Sequence, residues 1–498
     1  MLKHHLYESN RPQDVFFCNW LLRLRKVKMS SSPHKSARCD DKICDELVNP
    51  TAEMVKDECA VANRFEELFN SPHFSDIRLN ICGDVYYAHK FLLVTASEVF
   101  NAMLNEERWR ESRQPEIELN ETDECIPVFG QFLKYIYCGK VELTTDTTLP
   151  ILLLADKYSL SSLRKSCVDY MLRHIVESPD TNRTLTWYQY AKMTNQDELA
   201  ANCLKFITSN FDLILRTADW LDVSDSEVEE FLKNSELLVS SEAALWKEVE
   251  KWLVVSESRL EKTEDNLAKI IPLLRFSMMT PRQLLDIESS NLCHNNPDIF
   301  SPPLNAAYRY HSLSSDVLTD IGKEPYRNYT DDSYSICCKI GLQKYREVTK
   351  INSKIDAMFD VPIVYAAPSR TVVKKFTFRV EFFSKGYFSA YSLYGRYLGR
   401  QTDMTMMNID CTVTPDLALK VEFTIVFYGK KKDLEYVVYT YHGAHTFSRD
   451  SCGAVVENVI PLKLLTQKDS VYLIDGNLVG SIFIKVQKVI QTSQNFNN

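Results

Sequence analysis

The chain has 498 residues, with 67 acidic and 58 basic side chains and a formal net charge of -9 at pH 7. Nucleic-acid binding relies on clustered Lys and Arg that neutralise phosphates, so this acidic balance argues against DNA or RNA as the main partner. The length predicts about three domains, and a hydrophobic content of 45% indicates a globular, folded chain.

The fourteen cysteines indicate neither a metal site nor a disulfide framework. No CxxC pair faces a second CxxC or an HxxxH pair, which is the spacing of tetrahedral zinc sites. We therefore expect reduced, mostly buried cysteines in a cytoplasmic or nuclear protein, with secretion as the less favoured location. No apolar run reaches the roughly 18 residues of a membrane span, so we expect no membrane insertion.

An apolar stretch near the start, Val15 to Leu22, does not fit a secretory signal. It contains Asn19, and the basic run Arg23, Arg25, Lys26 and Lys28 follows it instead of preceding it. Met29 is a second candidate for the first residue of the protein. The residues around Pro33 combine serines and mixed charges, so we expect a flexible segment over residues 1–60.

The segment from Phe74 to about Tyr170 organises the rest of the chain. At its start Ile77, Leu79 and Ile81 alternate with polar residues, which predicts a half-buried strand. Cys82-Gly83-Asp84 then predicts a hairpin turn, and a second strand leads into helices. The preceding helix has four apolar residues at helical spacing, which would form one face: Val61, Phe65, Leu68 and Phe69.

The stretches FSDIRL, YYAHKFLL and FNAML, in that order, resemble the BTB/POZ family, an α/β domain in which a helical cluster carries a short sheet. The resemblance implies a homodimer in which the apolar face of the preceding helix contacts the partner subunit. It also implies that Asp76 and Lys90 form a charged pocket at the dimer groove. The alternative role of these two residues is structural, since buried polar groups are usually retained with a partner. The resemblance implies no catalysis.

Trp109-Arg110-Glu111 lies where cullin-binding members of the family carry a hydrophobic residue, a variable residue and Glu. A large apolar side chain with a carboxylate two residues on is typical of interface hot spots, so Trp109 and Glu111 are candidate contacts to cullin-3. In the alternative interpretation, Trp109 packs on its own domain and Glu111 is solvated. Trp replaces the Met or Leu that is usual at this position.

From about Asn182 the apolar periodicity is helical throughout. The passage DVSDSEVEEFLKNSELLVSSEAALWKEVEKWL and the later RFSMMTPRQL resemble the all-α BACK domain of kelch-like proteins. Ser224 is the predicted N-cap of one of these helices. The resemblance implies a spacer between the BTB domain and a C-terminal recognition domain.

After residue 333 the period changes from helical to alternating, most clearly over Phe376 to Phe382 and Val421 to Phe427. Seven or eight short strands without glycine-doublet repeats predict an antiparallel β-sandwich and argue against a kelch propeller. Their order resembles TRAF/MATH domains, which implies capture of an extended protein or peptide ligand along a sheet edge. The sequence assigns no residue to that ligand site.

The predicted fold class is therefore multidomain α+β. Its parts are a flexible segment at 1–60, a BTB/POZ domain at 61–176, a BACK domain at 177–314, a linker at 315–332 and a TRAF/MATH-like β-sandwich at 333–492.

The sequence marks of catalysis are absent. No GxxxxGK[ST], GxGxxG, GxSxG or HExxH occurs. His442 and His445 lie three residues apart but have no carboxylate or thiolate at matching spacing, so we expect loop residues and not metal ligands. We expect neither an enzyme nor a bound cofactor.

The leading hypothesis is a non-enzymatic, dimeric substrate adaptor for a cullin-3 ubiquitin ligase, in which the sandwich captures the substrate. The alternative is a secreted or non-ligase BTB-BACK interaction protein that resembles galectin-3-binding proteins. Three sequons, starting at Asn120, Asn182 and Asn328, would permit glycosylation in that case. A POZ transcription factor is a third option, which the lack of zinc fingers disfavours.

Overall fold

The computed structural model describes residues 63–105, 114–312, 327–331, 336–347, 354–367, 370–386, 402–414 and 417–491. The chain divides into two compact units. The first contains the described residues of Met1–Ile175 and Thr186–Asn202, and the second contains those of Val176–Leu185 and Cys203–Asn498.

A three-stranded sheet and a helical cluster form the first unit. Its elements are β1 (Ile77–Ile81), β2 (Asp84–Ala88), α1 (Lys90–Ala96), α2 (Glu98–Asn105), β3 (Glu116–Glu118), α3 (Phe129–Cys138), α4 (Thr148–Lys157) and α5 (Ser161–His174). Strand β1 lies at the centre of the sheet, antiparallel to β2 and parallel to β3. The hairpin and the helices that follow it confirm the order predicted for this segment.

The β1–β2 hairpin forms because its turn residues tolerate a left-handed backbone. Cys82 has φ 50° and Gly83 has φ 102°, as a two-residue type I′ turn requires. The alternation predicted for β1 is confirmed, since Ile77, Leu79 and Ile81 are at most 2% exposed. The strand therefore presents one apolar face to the helices of the unit.

The second unit begins with helices. They are α6 (Thr184–Met193), α7 (Asp197–Ser209), α8 (Phe211–Ile214), α9 (Ala218–Asp222), α10 (Asp225–Lys233), α11 (Glu242–Val255), α12 (Glu257–Leu260), α13 (Thr263–Ile270), α14 (Pro281–Glu288), α15 (Asn291–Asn295) and α16 (Pro297–Ser312), with α6 and α7 contributing residues to both units. The predicted cap of α10 is confirmed, because Ser224 forms a capping box with Glu227. An all-helical region is predicted here, and apart from the short strand β4 (Leu238–Val239) the described residues bear it out.

Two antiparallel sheets form the C-terminal part of the second unit. Their strands are β6 (Ile336–Leu342), β7 (Lys354–Ala367), β8 (Arg370–Phe383), β9 (Met406–Cys411), β10 (Leu417–Lys431), β11 (Leu434–Phe447), β12 (Gly453–Val456), β13 (Leu473–Ile474) and β14 (Asn477–Gln491), with one short helix, α17 (Leu462–Thr466). One sheet has the order β11-β10-β14-β13, with β6 also pairing with β14, and the other has the order β12-β9-β8-β7. The predicted β-sandwich is confirmed.

The core of the sandwich lies between the two sheets. Phe376 and Phe382 of β8 are at most 2% exposed, as the alternation predicts. The ring of Phe382 lies 5.2 Å from that of Phe427 of β10, which joins the inner faces of the two sheets. Every second residue of β8 from Phe376 to Phe382 therefore points into the core, as the alternation in the sequence predicts.

Two strands of the sandwich were not predicted, β7 and β9. Strand β7 is at the edge of its sheet, and Asp356, Asp360 and Pro362, residue types that are depleted in strands, interrupt its apolar residues. It forms because all fourteen of its residues pair with β8. Its pairing partner therefore decides its structure.

The last described residues of the predicted linker also form a strand, β5 (Asn328–Tyr329). It pairs in parallel with β4, so that residues of the linker complete a two-stranded sheet with the helical region. The amides of Asn328 and Thr330 donate to the carbonyls of Leu237 and Val239 over 3.2 and 3.0 Å. This stretch of the linker is thus part of the fold of the second unit.

Candidate interaction surfaces

In the first unit, Asp76 and Lys90 come together at the start of α1. A carboxylate oxygen of Asp76 accepts the backbone amide of Lys90 over 2.8 Å. Lys90 is the first residue of α1, so the negative charge lies at the positive end of the helix. The predicted pair is therefore in contact, with Asp76 stabilising the helix N-terminus, and its role in a dimer groove stays a prediction.

His89, which directly precedes Lys90, is buried and has a hydrogen-bond partner at each ring nitrogen. It is 7% exposed, and its Nδ1 and Nε2 atoms lie 2.9 Å from the Tyr137 hydroxyl and 2.9 Å from the His73 carbonyl. Burial raises the pKa of Tyr137 to about 12, so that hydroxyl keeps its proton at neutral pH. Both ring nitrogens of His89 are occupied, which fixes the loop around His73 against α1.

The predicted dimer helix is described only in part. Residues 63–66 are helical and turns follow as far as Asn70, while Val61 lies outside the described residues. Phe65, Leu68 and Phe69 are all half-buried. Phe69 packs edge-to-face on Tyr137, with ring centroids 5.9 Å apart. These side chains thus keep part of their apolar area accessible in the isolated unit.

Two aromatic side chains near the Asp76–Lys90 contact are largely exposed. Phe74 is 78% exposed and Phe91 is 64% exposed. They lie on the two segments that the His73–His89 and Asp76–Lys90 hydrogen bonds hold together. We refer to Phe74 and Phe91 as the aromatic patch. Contiguous exposed apolar area marks interaction surfaces, so the aromatic patch is a candidate for one.

The predicted cullin contacts, Trp109 and Glu111, lie outside the described residues. Helix α2 ends at Asn105, and the described chain resumes at residue 114. Their role stays a prediction.

In the second unit, helices cover the outer face of one sheet of the sandwich. Val426 of β10 and Phe483 of β14 are at most 5% exposed and pack with Leu238 of β4. The burial of β10 on both faces follows from this packing, since Ile425 and Val426 are adjacent in sequence and both are 0% exposed. This outer face, the covered face, is not available to a ligand.

Part of the edge of the covered sheet is also occupied. Asn210, which precedes α8, donates through Nδ2 to the Val437 carbonyl over 3.1 Å and accepts the Val437 amide at Oδ1 over 2.7 Å. Its carboxamide therefore satisfies the backbone of β11 as a neighbouring strand would. Lys431 at the end of β10 donates to the Val176 carbonyl and the Glu177 carboxylate over 2.7 and 2.8 Å.

A buried ion pair fixes the linker strand to the helical region. Arg327 is 2% exposed and Glu242 is 0% exposed, with 3.2 Å between Nε and Oε2. The guanidinium also donates to the carbonyls of Asn234, Leu232 and Leu273 over 2.7, 2.7 and 3.0 Å. A buried charge is stable only when it is paired and hydrogen-bonded, and this guanidinium is both.

Further groups complete this ionic cluster. The Tyr329 hydroxyl donates to Glu242 over 2.7 Å, and the Arg275 amide donates to the same carboxylate over 3.0 Å. Burial, followed by the negative charge of Glu242, raises the pKa of Tyr329 well above its usual value. The phenol therefore stays a donor, and the carboxylate is satisfied on both oxygens.

Lys485 of β14 points from the covered face toward this cluster. Its ammonium lies 3.1 Å from the Met278 sulfur and 5.7 Å from the centre of the Tyr329 ring. Burial lowers the pKa of Lys485 to about 8, and Arg275 lowers it further while Glu422 opposes the shift. The junction of helices and sandwich thus contains a cation that is only partly solvated.

The outer face of the other sheet is exposed. Its exposed side chains, the open face, are Asp356, Met358, Asp360, Thr377, Arg379 and Val455. Arg379 makes a bidentate contact with Asp356 over 2.9 and 3.0 Å. Met358 is 69% exposed and lies on β7, an edge strand. This sheet therefore keeps both an exposed face and an edge strand with exposed side chains.

The prediction that His442 and His445 are loop residues is wrong, because both lie in strand β11 and pair with β10. Their side chains have structural partners. His442 Nδ1 lies 3.2 Å from the Thr424 hydroxyl, and His445 Nε2 lies 3.0 Å from the Ser451 hydroxyl. Among the described residues, no three or more His, Cys, Asp or Glu side chains are grouped so that they would hold a metal ion. None of the helices that the structure describes is long and apolar enough to cross a membrane.

Two of the three sequons are buried. Asn182 is 1% exposed and its Oδ1 accepts the Thr184 amide over 3.0 Å. Asn328 is 6% exposed and donates to the Glu236 carbonyl over 3.1 Å. A glycan needs an exposed amide, so neither asparagine is compatible with glycosylation in this fold. Asn120 is exposed.

Sequence reasoning missed the residues that fasten the linker strand and the sandwich to the helical region, above all Arg327, Glu242 and Asn210. Arg327 and Glu242 are 85 residues apart, and the pattern around each is that of a solvated charge. The one available signal was the strand-like Asn328-Tyr329-Thr330 directly after Arg327.

Family models cover most of the described chain. The BTB/POZ domain model matches residues 65–175, the BACK model (BTB And C-terminal Kelch) matches 184–288, and the model described as the BTBD17 TRAF domain matches 324–494. The chain therefore contains a BTB/POZ domain, a BACK domain and a C-terminal TRAF domain, and this combination is typical of protein-interaction scaffolds.

Relatives match the chain over about half of its length. BTB/POZ domain-containing protein 17 of Xenopus laevis is 27% identical over 274 residues, covering 53% of this chain and 55% of that protein. The Homo sapiens protein of that name is 30% identical over 263 residues, covering 51% and 52%. Galectin-3-binding protein of Mus musculus is 26% identical over 274 residues, covering 54% and 45%. The chain thus spans about half the length of the curated relatives it matches.

Proposed function

We propose that this chain is a dimeric, non-enzymatic substrate adaptor for a cullin-3 ubiquitin ligase in the cytoplasm. In this proposal the BTB domain at 61–176 dimerises and binds cullin-3, the BACK domain at 177–314 is the spacer, and the sandwich at 333–492 captures the substrate. Ubiquitination takes place on recruited enzymes, and the chain itself catalyses no step.

The observation that carries the proposal is the attachment of the sandwich to the helical region. The packing of Leu238 on Val426 and Phe483 and the contact of Asn210 with Val437 fasten the covered face and its edge to the helical region, and the ion pair of Arg327 with Glu242 fastens the linker strand to it. An adaptor needs this property, because a substrate must be held at a defined distance from the ligase. A flexibly tethered sandwich would bind a ligand without orienting it.

The open face and its edge strands are the proposed substrate site. Strand β7 is an edge strand of the sheet that the helices leave uncovered, and it presents Met358 beside Asp356 and Asp360. An extended segment of a substrate would add to such an edge through backbone hydrogen bonds and place alternate side chains on the open face.

Binding to cullin-3 is expected to depend on Trp109 and Glu111. The variant Trp109→Ala/Glu111→Lys should lose at least about thirtyfold in affinity, the effect of removing a hot spot. The measurement is a titration of purified full-length chain with purified cullin-3. Arg110→Ala is the matched control, since it alters the variable position between the two and should bind as the wild type does.

Two results would contradict the cullin proposal. One is a wild-type chain that shows no cullin-3 binding. The other is a double variant that binds with unchanged affinity, which would assign Trp109 to the packing of its own domain.

Dimerisation is expected to depend on the dimer helix and the aromatic patch. Leu68→Asp and Phe91→Asp should each convert a dimer into a monomer, because each puts a charge into an apolar contact between subunits. Light scattering after size-exclusion chromatography measures the mass. Met193→Asp is the control, because Met193 is 77% exposed in the same unit. A wild-type chain that is monomeric at micromolar concentration would refute the dimer.

A further inference from the structure

Two cysteines lie opposite each other at the end of the β9–β12 strand pair. The register pairs Asp410 with Gly453. One residue further on, the amide of Cys411 donates to the carbonyl of Cys452 over 2.8 Å. Cys411 and Cys452 are therefore the next cross-strand pair of this ladder, and both are free thiols.

The backbone brings the two cysteines within reach of a covalent bond. In a hydrogen-bonded antiparallel pair the Cα atoms are about 5.5 Å apart. Disulfides span Cα separations of about 4.4 to 6.8 Å, with a maximum of frequency near that value. Cys452 lies just before β12, so the small change in side-chain direction that the bond needs falls on this residue.

Both side chains belong to the same side of the sheet. Cys411 pairs with Phe378 of β8, which is 0% exposed, so Cys411 faces the interior. Asp410 precedes the inward-facing Cys411 in β9, so its side chain faces outward. A Cβ added to Gly453 would lie 2.6 Å from the carboxylate of Asp410, so Gly453 also faces outward. Successive residues of a strand alternate, which directs Cys452 to the side of Cys411.

The two thiols differ in accessibility. Cys411 is 1% exposed, and burial raises its pKa to about 12. Cys452 is exposed. It follows a turn that the backbones of Ser448 and Ser451 close with hydrogen bonds of 3.0 and 3.3 Å. An exposed thiol beside a buried one is the arrangement in which the first reacts with an oxidant and the second resolves the product.

We propose that Cys411 and Cys452 form a redox modification site whose substrate is a low-molecular-weight disulfide. The Cys452 thiolate attacks one sulfur of the small disulfide, which forms a mixed disulfide on Cys452 and releases one small thiol. The Cys411 sulfur, having given its proton to solvent, then attacks the sulfur of Cys452 and releases the second small thiol. Two protein thiols are oxidised to one disulfide and the small disulfide is reduced to two thiols.

The product would fasten the edge strand β12 to β9. The cross-link closes the loop between residues 411 and 452, which lowers the entropy of the unfolded chain. The sandwich should therefore unfold at a temperature roughly 5 to 10 °C higher in the oxidised form. The site is independent of the adaptor proposal, since it requires neither a dimer nor cullin-3.

Mass spectrometry of the full-length chain tests the site. The chain is equilibrated with glutathione disulfide, free thiols are blocked with N-ethylmaleimide, and the protein is cleaved with trypsin. Trypsin releases Cys411 in the peptide 401–420 and Cys452 in the peptide 450–463, each with a single cysteine. The expected product is these two peptides joined, with two hydrogens fewer than their sum, and dithiothreitol should separate them.

Variants decide between the site and its alternatives. Cys452→Ser should abolish the cross-link and the thermal shift, and Cys82→Ser, at an exposed cysteine of the first unit, should change neither. Glutathione retained on Cys452 without a link to Cys411 would overturn the proposal. A link from Cys452 to any other cysteine would also overturn it.

Discussion

Replacement of Arg327 by methionine is expected to lower the free energy of unfolding of the second unit by about 3 to 5 kcal/mol. The side chains of Arg327 and Glu242 are both 0% exposed, so the change leaves a buried carboxylate without its cation. It also removes the donor to the carbonyls of Asn234, Leu232 and Leu273. Buried polar groups that lose their partners cost more than the lost bond itself.

Urea unfolding followed by tryptophan fluorescence measures this effect. Three of the six tryptophans of the chain lie in α9 and α11 of the second unit. Because a chain of several domains does not unfold in a single step, the free energy is taken from the transition that these tryptophans report. Arg327→Met should move the midpoint of that transition to lower urea.

Two further variants make the interpretation specific. Lys251→Met removes one partner of an exposed pair with Glu248 and should change the free energy by no more than about 1 kcal/mol. Arg327→Met/Glu242→Gln removes both buried charges and should cost less than the sum of the two single changes. A loss for Arg327→Met no larger than that of the Lys251 variant would contradict the buried ion pair.

The second large effect is a dependence of stability on pH that Lys485 causes. Burial lowers its pKa from 10.5 to about 8 in the folded chain, so between these values the unfolded chain binds more protons. Stability therefore rises with pH in this window, which is the reverse of the behaviour of a lysine whose pKa is raised. From about pH 7 to about pH 9.5 the contribution of Lys485 raises the free energy of unfolding by roughly 2 kcal/mol.

The measurement compares the wild type with Lys485→Met at each pH. The comparison is needed because buried phenols such as Tyr329 and Tyr436 have raised pKa values and make stability fall at alkaline pH in both proteins. The wild-type free energy of unfolding should approach that of the variant, or exceed it, as the pH rises. Lys251→Met should keep the pH dependence of the wild type. A difference between wild type and Lys485→Met that is constant with pH would contradict the buried position of the ammonium.

Local features of the fold were predictable because short-range physical chemistry decides them. Gly139 ends α3 with φ 67°, in the left-handed region that favours glycine. Ser224 caps α10 through contacts within three residues. The alternation of Phe376 to Phe382 identifies the inward face of β8, because a strand that is buried on one face must alternate.

The interaction surfaces were only partly predictable. The stretches FSDIRL and YYAHKFLL identified the segment in which Asp76 and Lys90 make contact, since both residues belong to one compact motif. The covered face of the sandwich had no counterpart in the sequence pattern. Val426 continues an apolar run that a single-faced strand would not need, and only the packing of Leu238 of β4 on it explains its burial.

The sequence by itself determined the three domain types, the strand and helix periods and the caps, because each depends on residues that are neighbours along the chain. The tertiary structure alone decided that Asn328 and Tyr329 of the linker pair with β4, that Arg327 and Glu242 are buried together and that Lys485 lies at the junction. These features join residues many positions apart, and the free energy of a charge depends on what surrounds it in the fold and not on what precedes it in the sequence.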